Sequence, residues 1–488
     1  METVESVIVI GAGPAGLTAA ITLARAGVDC LVFERRPDLS SLPRATVVST
    51  RSMERFRAWG IEDDLRAGGD EVEWLLWVCT TLADAARGEG VAVGYPTVEQ
   101  SAIISPTSPA CVPQDHLERV LLRHLRSYPH VRIEMGTNVV DVALDAETVA
   151  VTTRNATSGT QRVVRARFVI AADGARSTVR DLVGLHMRGF EQLHDSLMVQ
   201  FRAPLWELVG PHRYGIYTTT AEPNGTFLPA GDGDRWLYGI DWDPATHPLA
   251  EYPHERLAQL IAASAGQPDL DIRIERLSTF SFAGQLADRW RTDRVFLAGD
   301  AAHRVSPRGG TGMNTAIAGG FDLAWKLAWV LNGWASASLL DTYETERRPL
   351  VEHNFNRSID PAGSRRPVLS ELQVDLGGRI PHAWLPDRST STLDLVDTGL
   401  TLLTAGHHHW QRAAADQDMA VPLAVRELDP TTARSVGILT AGALLVRPDG
   451  VPVSLWQTDH DATRRLESAI RSMTGASPVG ARVRRDVA

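Results

Sequence analysis

Four short, fully apolar runs punctuate the chain: Val7-Ile8-Val9-Ile10, Cys30-Leu31-Val32-Phe33, Phe168-Val169-Ile170-Ala171 and Val295-Phe296-Leu297-Ala298. Runs this short, without polar alternation, are the pattern of strands buried on both faces of a parallel sheet. Between the first two, Leu17 to Ala26 predicts a helix of small and aliphatic residues ending near Gly27, so residues 7–33 read as a βαβ unit. After the fourth run, Leu323, Leu327 and Leu331 recur at spacing four and predict a long helix with one stripe on the core, stopping near Asn332-Gly333. From about 185 to 285 the pattern changes. His212 to Tyr217 and Asp234 to Trp242 alternate aromatic with small or polar residues, and Asn224-Gly225 and Gly231-Asp232-Gly233 mark turns between strands. The fold class is α/β with α+β elements.

The ends of the apolar runs carry the chemistry. Gly11-Ala12-Gly13-Pro14-Ala15-Gly16 follows the first strand at once. Gly11 suits a tight turn, Gly13 lets backbone approach a pyrophosphate, and Gly16 lets helix pack on strand. The helix start offers free N–H groups and a partial positive charge to the diphosphate. Glu34 ends the second strand, 18 residues past Gly16, where a carboxylate binds ribose hydroxyls and repels a 2′-phosphate. The site suits an ADP moiety such as that of FAD or NAD. The third run ends in Asp173-Gly174 and the fourth in Gly299-Asp300. A Pro/Gly-rich loop then leads into the long helix, a seat for a flat, polar, anionic ligand.

Bulk properties narrow the class. The 488 residues suffice for two or three domains, with 44% hydrophobic and 22% charged content. A net charge of −10 argues against nucleic acid, and the basic tail (Arg482, Arg484, Arg485) is too short to alter that. Cys30, Cys79 and Cys111 are widely spaced and suggest neither a disulfide framework nor a metal site. Without a signal peptide pattern or an apolar run of about 18 residues, the expectation is a cytoplasmic chain with no membrane insertion.

The glycine fingerprint, Ala172-Asp173-Gly174-Ala175-Arg176-Ser177-Thr178-Val179-Arg180 and the block from Gly299 to Asn314 resemble, together, the three hallmarks of group A flavoprotein monooxygenases. These are single-component FAD hydroxylases of aromatic compounds, and the resemblance covers nearly the whole chain. It implies that Gly11, Gly13, Ala15, Gly16, Glu34 and Arg35 hold the ADP half of FAD. Arg44 would lie near the flavin and its phosphates, Gln114 would contact FAD, and Asp173 would serve FAD and nicotinamide binding. Gly299 and Asp300 would meet the ribityl chain. Pro307, Gly310, Gly312, Met313 and Asn314 would line the isoalloxazine, with backbone N–H groups at its N1/O2 edge. NAD(P)H would bind transiently, in keeping with the lack of a second dinucleotide fingerprint. O₂ would add at flavin C4a, and the hydroperoxide would oxygenate an electron-rich carbon. His303 reads as a packing residue beside the cofactor. No catalytic base is identifiable from spacing.

The same resemblance makes the middle segment a roof over the substrate, with Tyr214, Tyr217, Phe227, Trp236, Tyr238 and Phe282 as candidate wall residues. Among thirteen tryptophans, Trp74, Trp77, Trp236 and Trp242 fall in or near this region and suit a polycyclic aromatic ligand, whereas Trp325 and Trp329 belong to packing of the long helix. The implied domains are residues 1–184 with 280–365 for FAD, 70–110 with 185–280 for substrate, and 366–488 as a thioredoxin-like third domain. No cysteine follows Cys111, so that domain is redox-silent. Two departures stand out: Ala318-Gly319-Gly320 replaces the family's common Gln-Asp-Ala, expected to loosen the helix or widen space, and the linker at 361–378 is short. The expected activity is NAD(P)H- and O₂-dependent hydroxylation of a polyketide-like small molecule by a monomer or homodimer. Baeyer–Villiger or ring-opening oxygenation, antibiotic inactivation included, is the alternative. A non-catalytic flavin-binding protein is a second one.

Overall fold

The computed structural model describes residues 4–406 and 408–475, so the basic tail at Arg482, Arg484 and Arg485 lies outside the described residues. The chain forms two compact units. Residues 4–24, 29–321 and 347–376 make the first, and residues 25–28, 322–346 and 377–475 the second.

The four apolar runs lie side by side in the first unit, as part of an eight-stranded sheet. Val4–Ile10 is central, parallel to Cys30–Glu34 on one side and to Gln161–Ala171 on the other, and Val295–Leu297 lies parallel to the last. Val7 pairs with Cys30 and Phe168, and Val169 with Val295, so the runs bury one another in register. The small residues of helix Pro14–Arg25 let it lie flat on the sheet, with every residue from Ala15 to Ala24 buried. All four strands therefore end at one edge, where their following turns gather.

A second eight-stranded sheet takes in Glu73–Cys79 and Glu89–Ala92 together with Met187–Arg202, Tyr214–Thr219, Gly225–Pro229, Arg235–Asp241, Arg273–Ala287 and His303–Arg304. Burial alternates strictly along Tyr214–Thr219 and Gly225–Pro229, as period-two side chains on a two-faced sheet require. One face is closed by helix His254–Ala265, whose Leu257, Ile261 and Ala265 pack on Val199, Phe201, Trp236 and Tyr238.

The second unit carries strand–helix–strand–helix–strand–strand–helix from Leu400–Thr404 to Ala462–Thr474. Leu400–Thr404 is parallel to Leu423–Glu427 and antiparallel to Ala443–Val446, which pairs with Pro452–Trp456. This is thioredoxin-like topology, with Leu403, Leu444 and Val446 in its core and no cysteine. Its start falls at Gly377 instead of residue 366. The difference has a physical cause: helix Val368–Leu376 is tied into the first unit, Glu371 to Arg357 at 2.9 Å and Asp375 to the Arg51 backbone N–H at 3.1 Å. Among the described residues no helix is long and apolar enough to cross a membrane.

Candidate functional site

The first strand hands over to its helix through a turn that only glycine fits. Gly11 adopts φ 106° and donates to the Phe33 carbonyl at 2.7 Å. A Cβ on Gly11 would lie 2.3 Å from the Ala172 carbonyl oxygen, and one on Gly16 would lie 1.9 Å from the Gly11 oxygen. Gly13 is different: a Cβ there meets nothing within 4 Å. Two glycines are thus required by the fold, and the third faces open space beside the helix N-terminus, where the geometry leaves room for a diphosphate. Glu34 accepts from the backbone N–H groups of Ala12 (2.8 Å) and Arg36 (3.0 Å), which fixes its carboxylate beside the turn and leaves lone pairs for ribose hydroxyls.

Asp173 and Asp300 arrive at the same edge from neighbouring strands. Asp173 accepts from the Ser177 hydroxyl and from the Val179 N–H at 3.1 Å, so it also secures the following helical turn. Burial pushes its carboxyl above the usual range, against the pull of those two donors. Asp300 is exposed to solvent and accepts no hydrogen bond from the described residues. It is nevertheless surrounded by protein: desolvation raises its pKa, opposed by Arg304 and Arg44. An accessible carboxylate enclosed in this way belongs to the wall of a cleft, and its free lone pairs suit sugar-alcohol hydroxyls. Arg44 itself is exposed. It also acts on Glu118, a buried carboxyl pushed up to about 7 and held by Gln114 at 2.7 Å.

Gly299 (φ 60°) sits against Ala15 and Ala316, where a Cβ would come within 2.8 Å of Ala15. Gly320, in the long helix Gly312–Leu331, approaches the Ala15 carbonyl so closely that a Cβ would lie 2.3 Å from it. The expectation that Ala318-Gly319-Gly320 loosens this helix is therefore corrected at Gly320, whose missing side chain lets two helices meet. The loop before the helix is locked from behind. Asn314 donates to the Val47 carbonyl (3.1 Å) and accepts from the Ser49 N–H (2.8 Å), and the Tyr95 hydroxyl is shared between the carbonyls of Gly309 and Gly310. Met313 is buried and Pro307 exposed. Val47, Ser49, Tyr95 and Glu118 had no sequence signal; their roles come from chain segments meeting far from their neighbours in sequence.

His303 is buried and lies 6.0 Å from Trp290, centroid to centroid. Burial, aided by Arg347, lowers its pKa to about 3, so it is neutral and structural. The unfolded chain binds a proton on this residue from about pH 6.5 downward and the native state does not until about pH 3. Stability therefore falls as pH drops through that window. His303→Gln is expected to reduce the loss between pH 7 and pH 5 by about 2 kcal/mol, read from urea midpoints at the two pH values.

The substrate candidates divide by sheet face. Register places Val199, Tyr238, Phe227, Tyr217 and Trp77 in one row across five strands. That row is the sealed face under helix His254–Ala265, and Tyr217, Phe227, Trp236 and Tyr238 are wholly buried in it. Tyr214 is half-buried and stacks on Trp77 at 4.1 Å on that same side. These five are corrected from wall to core, because large aromatics marked the buried parity. Trp242, just past the end of the interior strand Arg235–Asp241, donates to the His247 carbonyl. The opposite face packs Trp74, Leu76, Val78 and Ile216 against Val47 and Tyr95, and so looks toward the flavin-loop segment. It continues through Thr218, Thr226 and Leu228 to Gly239, Met198 and Phe280, most of them part-exposed. Of the six candidates only Phe282 lies there, with the Arg308 guanidinium 5.7 Å from its ring.

A glycine turn that leaves Gly13 open, an acid fixed beside it, a carboxylate without a hydrogen bond among the described residues and a locked Gly-rich loop before a helix form an arrangement that fits a dinucleotide such as FAD. Comparison with known proteins agrees. The FAD binding domain family matches residues 5–358, and the C-terminal domain of aromatic-ring hydroxylases matches residues 373–477. The chain belongs to the FAD-dependent aromatic-ring hydroxylases, and it is a flavoprotein monooxygenase. It is 34% identical to aklavinone 12-hydroxylase RdmE of Streptomyces purpurascens over 95% of this chain and 98% of that one. It is 31% identical to tetracenomycin A2 monooxygenase-dioxygenase of Streptomyces glaucescens, over 98% and 99% respectively. Among solved structures, a ternary complex of aklavinone-11 hydroxylase with FAD and aklavinone matches at TM-score 0.86 and 30% identity, covering 98% of this chain and 100% of that one.

Proposed function

We propose that this enzyme uses NAD(P)H and O₂ to hydroxylate an aromatic, polyketide-like small molecule held between the FAD site and the second sheet. The observation that carries this is the part-exposed face of that sheet. Its Val78, Ile216, Thr218, Thr226, Leu228 and Met198 offer a broad apolar floor with two hydroxyls, which suits a flat polycyclic ligand with phenolic edges. Relatives named for aklavinone and tetracenomycin oxidation support the same substrate class.

FAD, when bound, supplies the redox chemistry: it accepts hydride from the nicotinamide and activates O₂ for transfer to carbon. The chain's own tasks are binding, orientation and dryness. The turn at Gly11–Gly16, with Glu34, would hold the ADP end, and Asp300 would accept from ribityl hydroxyls. The N-terminus of helix Gly312–Leu331 would place backbone N–H groups and positive dipole at the N1/O2 edge, where negative charge develops on reduction. Asp173, Arg35 and Arg44 would flank the phosphates and the nicotinamide approach. Pro307 and Phe282 would bound the space in front of the ring.

The test is turnover of aromatic polyketides under ¹⁸O₂ with either nicotinamide; one labelled oxygen in the product is expected, and a failure of any nicotinamide to reduce the bound flavin refutes the reading. The choice of face has its own test. Leu228→Trp is expected to raise KM by about ten-fold or more with FAD content and Tm unchanged, because the new bulk enters the substrate space. Phe227→Ala, one residue away on the sealed face, is expected to cost about 3–5 kcal/mol of stability with KM unchanged.

A further inference from the structure

A small, partly open cavity of about 50 Å³, with several polar and charged side chains in its lining, lies behind the start of the long helix, within the first unit. Thr311, Asn314, Thr315 and Ala318 form its helix side, Ser49 and Arg55 a second side, and Arg347, Asn354, Glu371 and Asp375 the rest. The basic groups are not matched by the acids. Arg357 is paired with Glu371 at 2.9 Å and also donates to the Val93 and Gly363 carbonyls. Asp375 accepts from the Arg51 N–H, and no ion pair joins it to Arg55 or Arg347 among the described residues. Nε and Nη1 of Arg55 and Nε of Arg347 are sealed from solvent and hydrogen-bonded to nothing. The Thr311 hydroxyl is likewise buried without a partner. Glu54 is taken up by Arg51 at 2.8 Å, so setting Arg55 and Arg347 against Asp375 leaves one positive charge in excess.

Buried guanidinium N–H groups without acceptors are costly, and two such arginines facing one cavity repel each other. Burial drags Arg55 down to about 9; Arg51 and Arg347 add to that, and Asp375 and Glu54 oppose it without cancelling it. The start of helix Gly312–Leu331 adds positive dipole to the same space. A water needs roughly 10–15 Å³ on this scale, so the cavity has room for one small ion with a water or two and none for an aromatic ligand. Ala318, where the family commonly carries glutamine, opens the helix side of the cavity: a glutamine amide there would fill the space and offer the missing acceptor.

We infer that this cavity is a binding site for a small monovalent inorganic anion of halide size, bridging Arg55 and Arg347 behind the flavin loop. The anion joins helix Thr50–Ala58, the long helix and helix Thr342–Ile359 at the point where Asn314 and Ser49 hold that loop. It stabilises the seat without touching the reacting atoms.

The experiment uses the FAD-loaded full chain, prepared in gluconate and titrated with chloride or bromide at constant ionic strength. A saturable rise in Tm is expected, together with one anomalous-scattering peak between Arg55 and Arg347 in crystals grown with bromide. Arg347→Met removes one arm of the site, and Ala318→Gln fills the cavity while keeping both arginines. Each is expected to weaken the halide response by about ten-fold or more. Only water in the cavity of bromide crystals, or the same Tm rise in wild type and both variants, overturns the assignment.

Discussion

Gly13→Ala is expected to give a folded protein that purifies without flavin, whereas Gly11→Ala is expected to lose stability and flavin together. The two positions are neighbours in one fingerprint, but the structure separates their tasks. A methyl on Gly13 meets nothing within 4 Å, so the chain is expected to fold, with the methyl in the space where the proposed diphosphate would approach. A methyl on Gly11 would sit 2.3 Å from the Ala172 carbonyl oxygen, at φ 106°, a backbone conformation that L side chains rarely adopt. Relief requires moving apart the ends of Val4–Ile10 and Gln161–Ala171, which are paired through Ile10 and Ala171. A penalty of about 3 kcal/mol or more follows from strain and lost sheet contact combined. Unfolding midpoints and flavin absorbance of the purified variants check both statements. Equal stability of the two variants would show that the turn is not built as described.

The same contrast explains what the sequence disclosed. A glycine fingerprint is legible because each constraint is local: one missing side chain, one turn, one helix start. The apolar runs were legible because a parallel strand is buried on both faces, so burial has no parity to misread. The second sheet has two unequal faces, and there the reasoning from aromatics failed. Tyr217, Phe227, Trp236 and Tyr238 are large because they fill a core under helix His254–Ala265. The opposite row holds Thr218, Thr226, Leu228 and Gly239, modest in size, as the proposed substrate face would require. Distinguishing the rows needed the register, a long-range property. The same holds for Tyr95 and Ser49, which meet the loop before the long helix through the chain's return, and for helix Val368–Leu376, whose Glu371 and Asp375 belong to partners some distance away in sequence.

Lys326→Met is expected to be among the most destabilising substitutions in the second unit. The Lys326 ammonium is fully buried between Asp322 at 2.9 Å and Glu346 at 3.0 Å. Glu346 is also held by both terminal nitrogens of Arg447, which is paired in turn with Asp449. Although Asp322, Glu346 and Asp449 lie close enough to suggest a metal site, Lys326 and Arg447 already supply its positive charge. Burial alone would raise the Glu346 carboxyl, but Arg447 and Lys326 outweigh it and hold it below its usual range. That contribution is therefore present at neutral pH and lost as pH falls through the lowered value. Removing Lys326 takes the ammonium from buried Asp322 and from Glu346 beside it, a loss of about 3–5 kcal/mol. The cost comes from the abandoned charge more than from the lost attraction. Lys326→Met with Asp322→Leu is consequently expected to recover most of the loss, because an apolar pair of similar volume needs no counter-charge. Denaturant midpoints of the two variants decide the matter: a double variant no more stable than Lys326→Met would mean that the pair itself, and not the buried Asp322 charge, carries the energy.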